Sequence, residues 1–517
     1  MYLEKGRRFM GILCLLALAA LVAAGCAGGG ARQSTPTPAS GFTEQSGVVE
    51  VKCPFYLRPN QNVSCGKLEV PEDYAQLDGR TIELLVVVVH STSSNPERDP
   101  ILLLPGDAGV SMLDSIFYIA QFFSVFLDQR DVVYYDPRGL GQSGGALECP
   151  EFIEWHYRSM LEKATLETEY SWLEPGLQAC RERLLNAEIN PNVYTAAAMA
   201  ADLNTLRLAL GYSQFNLMAG GFGVDLALTL MRDYPQTVRS AVLVDLEFPL
   251  GYTNLGVFAR SAQHSLDLLF TRCAEDTECR QAYPELENHF YSVVDELNLK
   301  PVQVDVLLPG VSSVSKVTVA GTDFINLALT MLSTTQTIEN LPKLVEEVYQ
   351  GRALKMSEYI QRYYIALPDE YYVGVELNHI CSELHGAFWE DSSLGADVQP
   401  VISQAVQESW AFYQPLCAQW NGTGRLASAA KPISSDTPML VMQGEFHPFY
   451  APAQVEEIFW GIPNVNHVVI SNLSNDVFGG ESCAGNLVVE WLASPGDRLD
   501  TSCASQTAPL EFLMPDK

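Results

Sequence analysis

The stretch from Phe215 to Leu228 constrains the fold of this chain more than any other. An apolar run, Phe-Asn-Leu-Met, is followed by Ala-Gly-Gly-Phe-Gly, and then by the helix-like run Val-Asp-Leu-Ala-Leu. Small residues at such a turn allow a strand and the next helix to pass closely. The segment therefore predicts a sharp strand–turn–helix unit.

The segments on either side of this unit extend the same pattern. Short apolar runs bounded by Gly, Pro or Asp are typical of buried parallel strands, and helix-like stretches separate them. The predicted strands are Ile82–His90, Ile101–Leu104, Val132–Tyr135, Phe215–Met218 and Ala241–Val244. The predicted helices are Met112–Leu127, Ala196–Leu210 and Val224–Tyr234. This alternation favours an α/β fold with a mostly parallel sheet covered by helices on both faces.

Helical patterns dominate from residue 251 to residue 425, with one β-like interruption at Val302–Val319. The predicted helices there are Ala259–Phe270, Tyr283–Leu297, Thr322–Leu332, Asn340–Tyr349 and Met356–Tyr364. Strands return at Met439–Gln443 and Val468–Ile470, before a helix at Gly485–Leu492. We therefore expect a core formed by residues 43–250 and 426–517, and a mainly helical cap at residues 251–425. The cap should cover the carboxyl edge of the sheet, where open α/β sheets hold their ligands.

The N-terminus has the layout of an export signal. Residues 1–25 contain Lys5, Arg7 and Arg8, an apolar stretch and then small residues that lead into Cys26. This layout resembles a lipoprotein signal with Cys26 as the lipidated residue, and residues 26–42 resemble a flexible tether. An uncleaved membrane anchor and an ordinary secretory cleavage remain alternatives.

Ten further cysteines agree with an extracytoplasmic location. An even number of cysteines in an exported chain favours disulfides, and these fall into near pairs. The pairs are Cys53 with Cys65, Cys149 with Cys180, Cys273 with Cys279, Cys381 with Cys417, and Cys483 with Cys503. A metal cluster of His379, Cys381, Glu383 and His385 is a weaker interpretation because Cys381 has a disulfide partner. We expect no metal and no cofactor.

The net charge of -31 restricts the partners of this chain. A strongly acidic surface repels the phosphate backbones of nucleic acids and is not attracted to an anionic membrane surface. We therefore expect no nucleic-acid partner, and we expect membrane attachment through the lipid alone.

Several motifs, in order, resemble the tripeptidyl-aminopeptidase-like and proline-iminopeptidase-like branch of the α/β-hydrolase superfamily. They are Cys65-Gly-Lys-Leu-Glu-Val-Pro-Glu-Asp-Tyr74, Asp136-Pro-Arg-Gly-Leu-Gly-Gln-Ser143, the segment from Tyr194 to Tyr212, Met231-Arg-Asp-Tyr-Pro235, Val238-Arg-Ser240, the segment from Phe270 to Pro284, Leu440 to Pro448, and Cys483 to Cys503. The resemblance implies an α/β-hydrolase fold for nearly the whole mature chain. It also implies a nucleophile on the turn at Ala219-Gly-Gly-Phe-Gly223.

The resemblance places the family's catalytic serine, acid and histidine at Gly221, His447 and Asn475, and each differs from the family residue. A one-residue slip puts Asp476 at the third position, and His447 with Asp476 could form an inverted pair. The oxyanion loop falls on Gly106-Asp-Ala-Gly109, with Phe222 as the second donor. Asp107 there either opposes negative charge or points to solvent.

A glycine offers no atom for nucleophilic attack, and an asparagine amide does not act as a base near neutral pH. We therefore expect an inactive relative whose capped cleft binds a peptide or small acyl ligand, or whose surface binds a protein. One alternative is an active exopeptidase or esterase that uses Ser111 or Ser474. A structural scaffold of the cell envelope is the other.

Overall fold

The computed structural model describes residues 47–55, 62–153, 166–246, 254–307, 314–364, 371–383, 397–420, 433–478 and 482–515. All of them belong to one compact unit, Ser40–Lys517. The predicted signal, Cys26, the tether and the boundaries predicted at residues 250/251 and 425/426 lie outside the described residues, as does His385. Among the described residues, no helix is long and apolar enough to cross a membrane.

A nine-stranded sheet forms the centre of the molecule, with the strand order β1-β2-β3-β5-β4-β6-β7-β10-β11. From β5 onward all neighbours are parallel, whereas β1, β2, β3 and β5 pair antiparallel. Its strands are β1 (Val48–Val51), β2 (Val63–Pro71), β3 (Thr81–Val89), β4 (Ile101–Leu103), β5 (Val132–Tyr135), β6 (Phe215–Gly221), β7 (Val238–Leu246), β10 (Met439–Gly444) and β11 (Val465–Ile470). The mostly parallel α/β fold predicted from the sequence is confirmed.

The apolar strands are explained by two hydrophobic clusters on opposite faces of the sheet. Along β3, Leu84 and Val86 belong to one cluster, whereas Leu85 and Val87 belong to the other. Successive side chains of a strand point to opposite faces, so both faces must be apolar where both are covered. Each such buried side chain stabilises the fold by roughly 1.5–3 kcal/mol.

Helices cover both faces of the sheet. The helices in the first part of the chain and after the last strands are α1 (Ile116–Phe122), α2 (Leu166–Asn186), α3 (Ala196–Ala209), α4 (Phe222–Asp233), α15 (Pro452–Ile458) and α16 (Ser482–Ala493). The single helix predicted at Met112–Leu127 is wrong, because α1 is flanked by 3₁₀ turns at Leu113–Ser115 and Phe123–Asp128. The hydroxyl of Ser124 donates to the carbonyl of Gln121, which competes with continuation of the α-helical ladder.

The described residues between 254 and 420 contribute helices and one small hairpin, and none of them forms a strand of the nine-stranded sheet. The helices are α5 (Leu255–Glu275), α6 (Thr277–Ala282), α7 (Leu286–Leu299), α8 (Gly321–Leu332), α9 (Thr335–Ile338), α10 (Leu341–Tyr349), α11 (Met356–Tyr359), α12 (Val373–Glu383), α13 (Pro400–Ala411) and α14 (Tyr413–Trp420), and the hairpin pairs β8 (Val302–Val306) with β9 (Ser315–Val319). The helix predicted at Met356–Tyr364 continues beyond α11 as a π-helical turn, Ile360–Tyr364.

Five disulfides hold the described part of the chain. They join Cys53 to Cys65, Cys149 to Cys180, Cys273 to Cys279, Cys381 to Cys417, and Cys483 to Cys503, the near pairs that their spacing favoured. Disulfides persist in oxidising compartments, so this chain is an extracytoplasmic protein.

Candidate functional site

The turn between β6 and α4 has the strained geometry that its small residues suggested. Gly221 ends the strand with φ 47° and ψ -124°, and α4 starts at the next residue. Such a backbone is accessible to glycine at little cost. A Cβ on Gly223 would lie 2.7 Å from the carbonyl oxygen of Pro105, so the close passage of helix and strand excludes a larger residue there. Gly221 itself presents no side-chain atom.

The loop predicted as the oxyanion loop is hydrogen-bonded to this turn through its backbone. The N–H of Phe222 donates to the carbonyl oxygen of Gly106 at 3.0 Å. The carboxylate of Asp107 accepts the N–H of Gly109 at 2.7 Å. Asp107 is among the exposed residues, yet the protein atoms around it raise the pKa of its carboxyl group through loss of solvation. A donor that the resemblance assigns to an oxyanion is thus occupied by a carbonyl.

His447 is buried and held by three hydrogen bonds. Its Nδ1 accepts the backbone N–H groups of Tyr450 at 3.0 Å and Phe449 at 3.3 Å. A ring nitrogen that accepts N–H groups carries no proton, so the proton of the neutral ring lies on Nε2. Nε2 is 2.8 Å from Oδ1 of Asp245 and donates to it.

Asp245 is the residue that sequence reasoning missed. It lies near the end of β7, where the register shifts so that Gly220 pairs with Val244 and Gly221 pairs with Leu246. Its φ is 49°, which is unusual for a residue other than glycine. The sequence does contain a signal, because an aspartate that directly follows the apolar run Ala241–Val244 is expected at the carboxyl edge of the sheet. Asp245 and His447 therefore face each other beside Gly221.

The pairing of His447 with Asp476 considered from the sequence is wrong. Asp476 accepts hydrogen bonds from the hydroxyl of Thr335, at 2.5 Å, and from its backbone N–H, at 3.1 Å. The N–H of Asn475 donates to the carbonyl of Ser333 at 3.3 Å. The loop at residues 474–476 is therefore anchored to the junction of α8 and α9, and His447 takes Asp245 as its partner because β7 is adjacent to β10.

Neither serine considered as a displaced nucleophile contacts a histidine. The hydroxyl of Ser111 donates to Asp136 at 2.8 Å, and burial raises the pKa of Asp136 to about 6. The hydroxyl of Ser474 donates to the carbonyl of Leu332. Both serines are buried and hold local structure.

A different serine does contact a histidine, but at the other edge of the sheet. Oγ of Ser64 lies 2.8 Å from Nε2 of His90, and Nδ1 of His90 lies 3.5 Å from Asp131. Ser64 is the second residue of β2 and Asp131 precedes β5, so this group lies at the amino ends of the parallel strands, away from Gly221. Ser64 is 5% exposed and sits in an ordinary strand rather than on a strained turn. The group braces β3 against β5.

The described residues contain no group of three or more His, Cys, Asp or Glu side chains placed to hold a metal ion. Cys381 is bonded to Cys417. His379 lies 3.4 Å from Asp225, and complete burial lowers the pKa of His379 to about 3. This histidine is therefore neutral and belongs to the packing between α12 and α4.

Comparison with known proteins agrees with this architecture. A family profile described as alpha/beta hydrolase fold matches residues 99–474, which is more than half of the chain. The chain belongs to the α/β-hydrolase fold family.

The chain is also similar to individual members of that family. It is 25% identical over 263 residues to the serine protease Hip1 of Mycobacterium tuberculosis, covering 46% of each chain. It is 26% identical over 189 residues to the tripeptidyl aminopeptidase of Streptomyces lividans, covering 35% of each chain. The chain thus matches less than half of the length of these relatives. The resemblance to tripeptidyl aminopeptidases indicated by the motifs is confirmed.

Solved structures with similar folds include a proline iminopeptidase-related protein from Thermus thermophilus. Its TM-score is 0.36 at 16% identity, covering 83% of this chain and 96% of that chain. The proline iminopeptidase of Mycobacterium smegmatis has a TM-score of 0.35 at 13% identity, covering 82% and 97%.

Proposed function

We propose that this chain is a catalytically silent member of its family, an extracytoplasmic lipoprotein anchored through Cys26, whose capped cleft binds a ligand. The observation that carries the proposal is the arrangement at Gly221 and Phe222. The turn keeps its shape without a nucleophile, and the adjacent N–H donates to the carbonyl of Gly106. A carbonyl in this position presents negative charge where acyl transfer needs a positive dipole.

The hydrogen bonds of His447 support the same proposal. The imidazole of His447 has Nδ1 occupied by two backbone donors and Nε2 committed to Asp245. Neither nitrogen is placed to take a proton from a serine at position 221. Without its triad, a serine hydrolase keeps at most roughly 10³–10⁴-fold catalysis over water, and loss of one oxyanion donor removes about 10²–10³ of that.

The chain is similar to a serine protease and a tripeptidyl aminopeptidase, so hydrolysis is the main alternative to the proposed binding function. A fluorophosphonate probe distinguishes the two, because it labels activated serines. The purified protein should remain unlabelled and should not cleave chromogenic aminoacyl, tripeptidyl or short acyl substrates. Labelling that disappears after a single change, Ser111→Ala or Ser474→Ala, would establish an active hydrolase instead.

A restored triad tests the oxyanion argument separately. The triple variant Gly221→Ser, His447→Asp, Asn475→His should also remain unlabelled, because Phe222 still donates to Gly106 and the new carboxylate at position 447 lies beside Asp245. Labelling of the triple variant would show that the loop at residues 106–109 opens and that only the side chains are missing.

The third possibility is a structural scaffold with no open cleft. It predicts that no ligand raises the melting temperature of the purified protein.

A further inference from the structure

The loop at residues 106–109 lies against the segment that leads into α12. The backbone N–H of Tyr372 donates to the carbonyl of Gly109 at 2.8 Å. The ring of Tyr371 covers the same glycine, since a Cβ on Gly109 would lie 2.7 Å from two of the ring carbons. The other end of the loop accepts the N–H of Phe222. The loop is thus held between the start of α12 and the start of α4.

Of the two sides of this contact, α12 is the more firmly fixed. The side-chain amide of Asn378 donates to the carbonyl of Pro191 at 2.8 Å, and its oxygen accepts the indole N–H of Trp420 at 2.7 Å. The disulfide from Cys381 joins the end of α12 to α14. The first two residues of the loop at residues 106–109, in contrast, are exposed to solvent. If the contact opens, we therefore expect the loop to move rather than the helix.

Each side of this contact carries a carboxyl group. Glu376, in the first turn of α12, is half-buried and accepts hydrogen bonds from Tyr371 and Tyr413, and Asp107 on the loop lies close enough to repel it. In the described part of the chain, no lysine or arginine forms an ion pair with either carboxyl group. Two like charges that are partly removed from water repel each other strongly. The contact is therefore more stable when one of these groups holds a proton.

We infer that Glu376 is a proton-controlled latch for the cleft. While Glu376 holds its proton, the loop at residues 106–109 stays against α12, and when Glu376 is ionised, repulsion from Asp107 moves the loop away. This movement breaks the hydrogen bonds that the loop accepts from Tyr372 and Phe222, so the N–H of Phe222 becomes free to donate to a ligand. The inference rests on the proposed function, since it concerns how a ligand reaches a cleft that binds without turnover.

The direction of the pH dependence follows from the groups that face Glu376. Loss of solvation, together with repulsion by Asp107, raises the pKa of Glu376 to about 7 against the hydrogen bonds from Tyr371 and Tyr413, which lower it. When the loop moves away, water returns and Asp107 recedes, so the pKa of Glu376 falls toward its ordinary value of 4.5. A carboxyl group whose pKa is higher in the closed form stabilises that form at low pH, and this advantage declines as the pH rises toward about 7. Loss of solvation also raises the pKa of Asp107, which acts in the same direction.

Amide hydrogen exchange of the intact purified protein, corrected for the intrinsic effect of pH on exchange, tests the latch without a ligand. Exchange detects an open form even when that form is a minor population. The amides of Phe222 and Tyr372 lose their acceptors when the loop moves. Their opening equilibrium should be at least about tenfold larger at about pH 8 than at about pH 5, since each unit of pKa difference between the closed and open forms corresponds to a factor of about ten. The amides of α3 are the internal reference and should not show this rise.

Two variants separate the latch from a general effect of pH. Glu376→Gln should remove most of the rise, because glutamine keeps the length of the side chain and does not ionise. Asp107→Asn should also reduce the rise, because asparagine still accepts the N–H of Gly109 and does not repel a carboxylate. Glu457→Gln, at an exposed position on α15, is the matched control and should leave the rise unchanged. Circular dichroism shows whether each variant is folded, and Asp107→Asn decides alone if Glu376→Gln does not fold.

Three outcomes would overturn the inference. They are equal opening of the Phe222 and Tyr372 amides at both pH values, a rise of the same size in α3, and an undiminished rise in folded Glu376→Gln or Asp107→Asn. None of these outcomes affects the proposed silence of the site, which depends on fluorophosphonate labelling and substrate cleavage. A labelled serine, in turn, would overturn the proposed function and would leave the exchange measurement of the latch unchanged.

Discussion

The backbone of Gly221 has a positive φ, and this position carries no side chain. For any other residue this conformation costs free energy, which only a functional gain or strong packing would offset. Asp245, across the register shift, also has a positive φ and accepts a hydrogen bond from His447. Two unusual backbone positions thus meet at one point of the sheet edge, where the packing of β6 against β7 fixes both.

The free-energy cost of placing a side chain at position 221 can be measured directly. Gly221→Ser should lower the free energy of unfolding by about 1–3 kcal/mol, because serine must adopt a φ of 47°. Gly485→Ser is the control, since glycine there lies in α16 with open space around a new Cβ and has no positive φ. Urea unfolding monitored by circular dichroism gives both values. Equal stability of the two variants would show that the turn relaxes.

Individual residues also show the limits of sequence reasoning. The turn at residues 219–223 was predictable because its small side chains reflect a steric requirement. The donation from Phe222 to Gly106 was not, since a backbone hydrogen bond leaves no trace in side-chain identity. The pairing of His447 with Asp245 depends on a register shift between β6 and β7, and register is set by packing over the whole sheet.

At the scale of elements, the parallel strands and the antiparallel β3 were predictable, whereas β1 and β2 were not. The central strands are apolar on both faces and are bounded by turn residues. β2 carries Ser64, Cys65, Gly66 and Lys67 at its start, a mixed run that does not show a strand period. The element that most affects the site is the loop at residues 474–476, which is anchored to α8 and α9 by Asp476 and Ser474.

This anchoring should be measurable as local stability. Asp476→Ala leaves the N–H of Thr335 without its acceptor and should destabilise the protein by about 1–3 kcal/mol. Hydrogen exchange should accelerate in α9 more than in α3, because the contact is local. Asp497→Ala, at an exposed position, serves as the matched control and should change neither quantity. Unchanged exchange in α9 would mean that Asp476 contributes little to holding these helices.

At the scale of the whole molecule, the sheet is interrupted in sequence but continuous in space. β7 pairs with β10 through Ala241 and Met439, so the strands before and after the long helical segment form one sheet. Arg272 on α5 contacts the carboxylate of Glu445 just after β10, at 2.9 Å and 3.0 Å. The helical segment is thus tied to the sheet by an ion pair in which one guanidinium nitrogen contacts both carboxylate oxygens, as well as by apolar packing.

Each disulfide joins cysteines that are consecutive in the described part of the sequence, with sequence separations of 12, 31, 6, 36 and 20 residues. A chain that emerges from a membrane with its N-terminus first exposes these thiols in the same order in which they pair. An oxidant that joins each new thiol to the previous one would produce the native set without reshuffling. Protein exported by a host that has a thiol oxidant but lacks a disulfide isomerase should therefore carry all five bridges, as peptide mapping would show. A requirement for an isomerase would mean that non-consecutive bridges form first.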